Sequence, residues 1–115
     1  MAFFAILWIG MVAISHEEGG VFKFEYEWAN PDIPDYMTNV GYLVEITILG
    51  TESKIIYQFV EYSGGTITDA VIEIPIGYRD RFFYFDVTAI VKDRGTYRFS
   101  KTSIPSVPSQ YRKVE

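Results

Sequence analysis

Residues 21–28 read Val-Phe-Lys-Phe-Glu-Tyr-Glu-Trp, and this stretch decides the fold class of the chain. Four aromatic side chains alternate in it with three charged ones: Phe22, Phe24, Tyr26 and Trp28 against Lys23, Glu25 and Glu27. Successive side chains of a β-strand point to opposite faces, so a period of two gives one apolar and one polar face. The stretch therefore predicts a half-buried strand whose aromatic face lies against a core.

The same period of two recurs along the rest of the chain. It predicts strands at residues 42–49, 54–62, 66–74, 82–92 and 97–104, separated by segments rich in Gly, Pro, Ser and Asp. The inward side chains are expected to be Tyr42, Val44, Ile46, Ile48, Ala70, Ile72, Ile74, Phe83, Phe85, Val87, Ala89 and Val91. Residues 29–41, which contain Pro31 and Pro34, are expected to form a long loop. Short strands between regular turns predict an all-β fold, an antiparallel two-sheet sandwich of about seven strands.

The first 15 residues carry an apolar run, residues 2–14, that is broken only by Gly10. It is shorter than the roughly 20 residues that a membrane-spanning helix needs. Three interpretations are open: a signal peptide or membrane anchor, the first strand of the domain, or a strand that inserts into a neighbouring molecule. Ala13 and Ser15 supply small residues for signal-peptide cleavage before His16. We therefore divide the chain into an apolar N-terminal segment (1–15), a sandwich domain (16–108) and a polar C-terminal tail (109–115).

The composition excludes several classes of chemistry. The 115 residues contain no cysteine and one histidine, which leaves no material for thiol catalysis, iron–sulfur clusters, thiolate zinc sites or histidine-based triads. Glu25 and Glu27 share one strand face, where we expect them to be solvated rather than to act as an acid–base pair. The net charge of −5 argues against a nucleic-acid partner. We expect no enzyme activity, no metal and no cofactor.

Several motifs stand in the order of a known fold family. Residues 28–31 read Trp-Ala-Asn-Pro, residues 41–44 read Gly-Tyr-Leu-Val, and an aromatic strand at residues 83–90 precedes a turn at Gly95. Over roughly residues 21–105 this order resembles fibronectin type III domains and related immunoglobulin-like sandwiches. The chain departs from the family at the corner tyrosine, whose position holds Phe83, with Tyr84 beside it pointing outward.

The resemblance implies a non-enzymatic, extracellular or cell-surface module for protein binding, adhesion or recognition. Its contacts would come from the loops at 29–41, 76–81 and 93–96 and from outward aromatic side chains. The candidate partner-binding residues are Asp32, Asp35, Tyr36, Arg79, Arg81, Phe82, Tyr84, Asp93 and Arg94. The alternative is a self-assembling structural subunit of an extracellular filament or surface layer, in which residues 3–14 complete a neighbour's sheet. Either way we expect a protein partner or self-association, no nucleic acid, and membrane contact only through an N-terminal anchor.

Overall fold

The computed structural model describes residues 8–13, 15–95, 99–101, 109 and 111–115, and its regular structure there is almost entirely β-strand. The strands are β1 Ile9–Met11, β2 His16–Glu18, β3 Val21–Ala29, β4 Met37–Ile48, β5 Lys54–Glu61, β6 Ile67–Pro75, β7 Phe82–Asp93, β8 Phe99–Lys101 and β9 Arg112–Lys113. One turn of 3₁₀ helix, Ile76–Tyr78, joins β6 to β7. The predicted all-β class is confirmed.

The strands form two antiparallel sheets. In the first sheet, β6 pairs with one side of β3 along its whole length, and β1 and β2 divide the other side between them. In the second sheet the order is β5, β4, β7, and the short strands β8 and β9 divide the far side of β7. Counted by position across the sheets, the described strands form three positions facing four, in agreement with the predicted two-sheet arrangement.

The core lies between the two sheets and combines aromatic with aliphatic side chains. Three edge-to-face pairs bridge the sheets with ring centroids 4.7–5.4 Å apart: Phe24–Phe83, Tyr26–Phe85 and Trp28–Tyr42. Such pairs contribute about 0.5–1.5 kcal/mol each beyond the area they bury. Every side chain that the alternation placed inward on β3, β4, β6 and β7 is buried. The two sheets therefore pack face to face as a sandwich.

Strand β4 begins at Met37 rather than at Tyr42, so the expected loop at 29–41 is shorter than predicted. Its first residues pair with the end of β7, from Met37 opposite Asp93 onward. The register then shifts between Asn39 and Gly41, because a bulge inserts one extra residue on β4. The bulge interrupts the period of two, and for that reason the alternation in the sequence did not predict that the strand continues through it.

Described residues near both termini join the sheets. Ile9–Met11 pairs with β3 of its own chain, while residues 1–7 and 14 of the predicted apolar segment lie outside the described residues. We expected residues 109–115 to form a polar tail, but Arg112–Lys113 pairs with β7 and Val114 is buried in the core. An apolar Val114 and a free edge on β7 explain this placement. Of the last predicted strand (97–104), Phe99–Lys101 pairs with β7, and residues 96–98 and 102–108 lie outside the described part.

Candidate binding surface

One end of the sandwich gathers five of the nine predicted partner-binding residues: Asp32, Asp35, Tyr36, Asp93 and Arg94. They lie in the loop between β3 and β4 and at the end of β7, which the sheet register places side by side. The Arg94 N–H donates to the Tyr36 carbonyl oxygen at 2.9 Å, and Arg94 Nε donates to Thr38 Oγ1 at 3.0 Å. The structure thus places these two loops next to each other.

The opposite end holds three more of the predicted residues: Arg79, Arg81 and Phe82. Arg79 Nη2 lies 3.3 Å from Glu17 Oε2, and its guanidinium lies 5.1 Å from the centre of the Phe22 ring. The Arg81 guanidinium lies 5.6 Å from the ring centre of Tyr78. The predicted residues therefore form two separate groups at opposite ends of the strands. Both arginine cations at this end also already have partners within their own chain.

The ninth predicted residue, Tyr84, lies nearer the middle of β7, on the outer face of the second sheet. Three strands supply this face, and their register aligns the outward side chains in rows across β5, β4 and β7. The rows are Phe59–Leu43–Thr88, Tyr57–Glu45–Asp86 and Ile55–Thr47–Tyr84. On the outermost strand the exposed fractions are 48% for Ile55, 61% for Tyr57 and 48% for Phe59. We call these three side chains, which follow one another along β5, the β5 row.

A pair of carboxylates lies in the middle row of this face. Glu45 is directly opposite Asp86, with Tyr57 on its other side, and both carboxylate side chains are half-buried. Burial first, and the negative charge of Glu45 second, raise the pKa of the Asp86 carboxyl above its ordinary value. Within the part of the chain that the structure describes, neither side chain takes part in an ion pair. Among the described residues, this face therefore carries two carboxylates that no cationic side chain pairs with.

A groove extends this surface toward the end of the sandwich. Tyr84 stacks on Tyr111, with ring centroids 5.2 Å apart and an angle of 16° between the planes. Beyond Tyr111 lies an open groove of about 530 Å³, lined by Leu49, Gly50, Asp80, Arg81, Phe82 and Tyr111. Phe82 and Tyr84 thus belong to one continuous outer surface, and Arg81 borders it.

The β5 row stands on an unpaired edge strand. The Tyr62 N–H donates to the Val40 carbonyl oxygen at 3.2 Å, which fixes the direction of the backbone groups along β5. Because alternate residues direct these groups to opposite sides, the N–H and C=O groups of the β5 row point away from β4. No other strand among the described residues pairs with that side of β5. The outer face thus ends in a row of available backbone hydrogen-bonding groups.

The neighbouring edge, that of β6 in the first sheet, is closed by a side chain. The Gln58 amide donates to the Val71 carbonyl oxygen at 2.6 Å and accepts from the Glu73 N–H at 3.1 Å. The side chain of Gln58 thus bonds β6 as another strand would. The two adjacent edges of the sandwich differ, since one is closed and the other is open.

Phe82 and Tyr84 were predicted from the sequence to be outward aromatic residues, whereas the β5 row, the Glu45–Asp86 pair and Tyr111 were not predicted. A signal for the row was present, because residues 54–62 are apolar on both faces of the strand. A strand with one solvated face would alternate with polar residues instead. The carboxylate pair gave no such signal, since it depends on the register between β4 and β7.

No protein-family model, curated protein or solved structure matches this chain, so its function is inferred from its own geometry. Among the residues that the structure describes, no helix has the length and apolar character needed to cross a membrane. The same residues contain no cluster of three or more His, Asp or Glu side chains placed to hold a metal ion.

Proposed function

We propose that this protein is an extracellular or cell-surface recognition module of the fibronectin type III or immunoglobulin-like kind, which binds a protein partner through the outer face of its second sheet. The observation that carries the proposal is the β5 row beside the half-buried Glu45 and Asp86. Exposed apolar patches with a polar component are typical of protein-binding surfaces, and aromatic side chains are enriched at their centres. Tyr57, with 61% of its surface exposed, is the most prominent aromatic side chain of the row.

The arrangement of strands supports the fold part of the proposal. Three strand positions face four, and Trp28 fills the core against Tyr42 from the opposite sheet. Immunoglobulin-like sandwiches share this two-sheet design around a buried tryptophan. The extracellular location is inferred from the family resemblance and from the apolar N-terminal segment.

A binding role also fits the shape of the surface better than a catalytic one. Glu45 and Asp86 project from the outer face of an open sheet, flanked by the exposed side chain of Tyr57. Acid–base catalysis by carboxylates usually takes place in a concave site that holds the substrate and excludes water. A flat face with aromatic side chains and fixed charges is suited instead to contact with another protein.

Site-specific photo-crosslinking tests the proposal. A p-benzoyl-phenylalanine placed at Tyr57 should crosslink a distinct partner protein in the native host. The same group placed at Glu25, on the outer face of the first sheet, is the matched control and should not crosslink that partner. Identical products from both positions would refute a specific surface on the second sheet. Crosslinks only between copies of this chain would favour the self-assembling structural subunit.

A further inference from the structure

We propose that the partner presents an extended, basic segment, which adds as a strand to the open edge of β5 and directs an Arg or Lys side chain toward Glu45 and Asp86. The inference rests on the proposed function, because it names the class of partner for the same surface. It combines two features of that surface: the unpaired backbone of β5 and the Glu45–Asp86 carboxylate pair.

Among the described residues, no strand covers the far edge of β5, and its outward side chains Ile55, Tyr57 and Phe59 carry no charge. Native proteins cover or charge their edge strands, because a bare edge pairs readily with other chains. Here β6 is closed by Gln58, bears the outward acids Asp69 and Glu73, and ends at Pro75. Strand β5 instead carries the apolar β5 row, and its only charged residues are at its two ends. An edge of this kind fits a partner that pairs as a strand.

The charges on the face select a basic partner. Like charges directly opposite each other on a sheet are destabilising, so an incoming cation would relieve the repulsion between Glu45 and Asp86. The net charge of −5 also attracts basic segments over a longer range.

A second copy of this chain fits the surface less well. If β5 paired with β5 of another copy, that strand would bring only one cation, Lys54 at its end. In an antiparallel arrangement centred on the β5 row, Lys54 would lie at the far end of the opposite strand, away from Tyr57 and Glu45. Two copies would also bring together two chains of the same net charge.

The row geometry indicates how the cation reaches the carboxylates. Tyr57, Glu45 and Asp86 lie in one row across three strands. Strands in a sheet are about 4.8 Å apart, so a residue added opposite Tyr57 has its backbone about 10 Å from that of Glu45. Long Arg and Glu side chains together span such a gap. The guanidinium would then pass over the exposed Tyr57 ring, where a cation–π contact adds to the attraction.

A peptide titration tests the inference on the folded protein. The probe is the acetylated and amidated peptide Thr-Val-Arg-Val-Thr, added to ¹⁵N-labelled protein and followed by NMR chemical shifts. The shifts should map to β5 and to the residues around Glu45 and Asp86. A matched peptide with citrulline in place of Arg keeps the shape without the charge and should bind about fivefold more weakly or worse. N-methylation of alternate peptide residues should also abolish binding, because it blocks strand pairing.

Protein variants separate the contribution of the Asp86 charge to peptide binding from that of strand pairing. Asp86→Asn should weaken binding of the Arg peptide about as much as citrulline does, and it should leave binding of the citrulline peptide unchanged. Glu25→Gln removes a charge from the opposite face and should change neither affinity.

Equal binding of the two peptides, or shifts confined to another face, would overturn the inference. If neither peptide binds but Tyr57 still gives face-selective crosslinks to a partner, the inference fails while the proposed function stands. If the crosslinks are absent as well, both fail.

Discussion

Replacing Asp86 with Asn should stabilise the folded protein, because it removes a like-charge contact between β4 and β7. Glu45 lies directly opposite Asp86, and both side chains are half-buried. Burial and the charge of Glu45 raise the pKa of Asp86 above its ordinary value of 3.8, so folding works against the charged form of this carboxyl. An amide has nearly the same shape as a carboxylate, and the replacement therefore changes the charge with little change in packing.

The size of the effect follows from the register. Directly opposite side chains of an antiparallel pair have Cβ atoms about 5 Å apart. At that separation two unit charges repel by ~0.8 kcal/mol in water and by ~3 kcal/mol at an effective dielectric constant of 20. Partial exposure to solvent keeps the value near the lower limit, so we expect the free energy of unfolding to rise by about 0.5–1 kcal/mol at pH 7. For 115 residues this corresponds to an increase in Tm of ~2–4 °C.

Thermal unfolding followed by circular dichroism measures the change. Glu61→Gln is the matched control, because it removes one negative charge from the same sheet at a position opposite the uncharged Gly41. The control should shift Tm much less than Asp86→Asn does. Adding Glu45→Gln to Asp86→Asn should bring little further gain, since the repulsion has already been removed. An unchanged or lower Tm for Asp86→Asn at pH 7, or full additivity with Glu45→Gln, would refute the reasoning.

The stabilisation should disappear in acid. Because the pKa of Asp86 is raised by folding, the folded protein binds this proton more tightly than the unfolded chain does. Between the folded pKa and 3.8, the wild type therefore gains stability as the pH falls, and the variant has no such carboxyl to protonate. The difference in Tm between the two proteins should close by pH 3. A difference as large at pH 3 as at pH 7 would assign the gain to packing or hydrogen bonding instead of charge.

Three further replacements test the core and the strand pairing. Tyr42→Phe removes a buried hydroxyl that bonds two asparagine side chains, and should lower the free energy of unfolding by about 1–3 kcal/mol in a urea titration with an unchanged m-value. Gly41→Ala places a Cβ 2.5 Å from the carbonyl oxygen of Val60 and should cost about 1–3 kcal/mol. Its control, Gly77→Ala, meets no atom within 4 Å and should stay within about 0.5 kcal/mol of the wild type. Burial raises the pKa of Tyr26 to about 12 from 10.0, so the unfolded chain loses its proton first and the wild type loses stability as the pH rises between these values. Over the same pH interval, the free energy of unfolding of Tyr26→Phe should fall by about 2–3 kcal/mol less than that of the wild type. Urea titrations at several alkaline pH values measure this difference. The first expectation would be contradicted if Tyr42→Phe and the wild type unfolded at the same urea concentration. The second would be contradicted if the two glycine variants were equally stable. The third would be contradicted if the stability of Tyr26→Phe and of the wild type fell equally with rising pH.

The inward faces of the long strands could be predicted from the sequence because they depend on strand geometry alone. Each strand carries its own period of two, whichever strand becomes its neighbour. The start of β4 could not be predicted in the same way, since the shift between Asn39 and Gly41 breaks that period. The pairing of Arg112–Lys113 with β7 was also missed, because two residues are too few to show any period.

The candidate binding surface was only partly predictable, because it depends on which strands become neighbours. Tyr84 and Phe82 were found as outward aromatic residues on one strand. Glu45 and Asp86 each look like ordinary solvated residues in their own strands, and only the register of β4 against β7 places them together. The division of the predicted loop residues between two ends of the sandwich likewise depends on the topology.

The adjacent edges of β5 and β6 are built differently, and this difference is the strongest support for the proposal that a partner pairs with β5. At β6 the Gln58 side chain occupies the edge. A second like-charged pair, Glu27 and Asp69, lies on the outer face of the first sheet, but Asp69 is exposed there and water screens its charge. On the second sheet a bare edge, an outward apolar row and a half-buried pair of carboxylates occur side by side. Each feature alone lowers stability or solubility, whereas a basic strand paired with β5 would compensate all three together. The combination of these three features supports the proposal that this surface binds a partner.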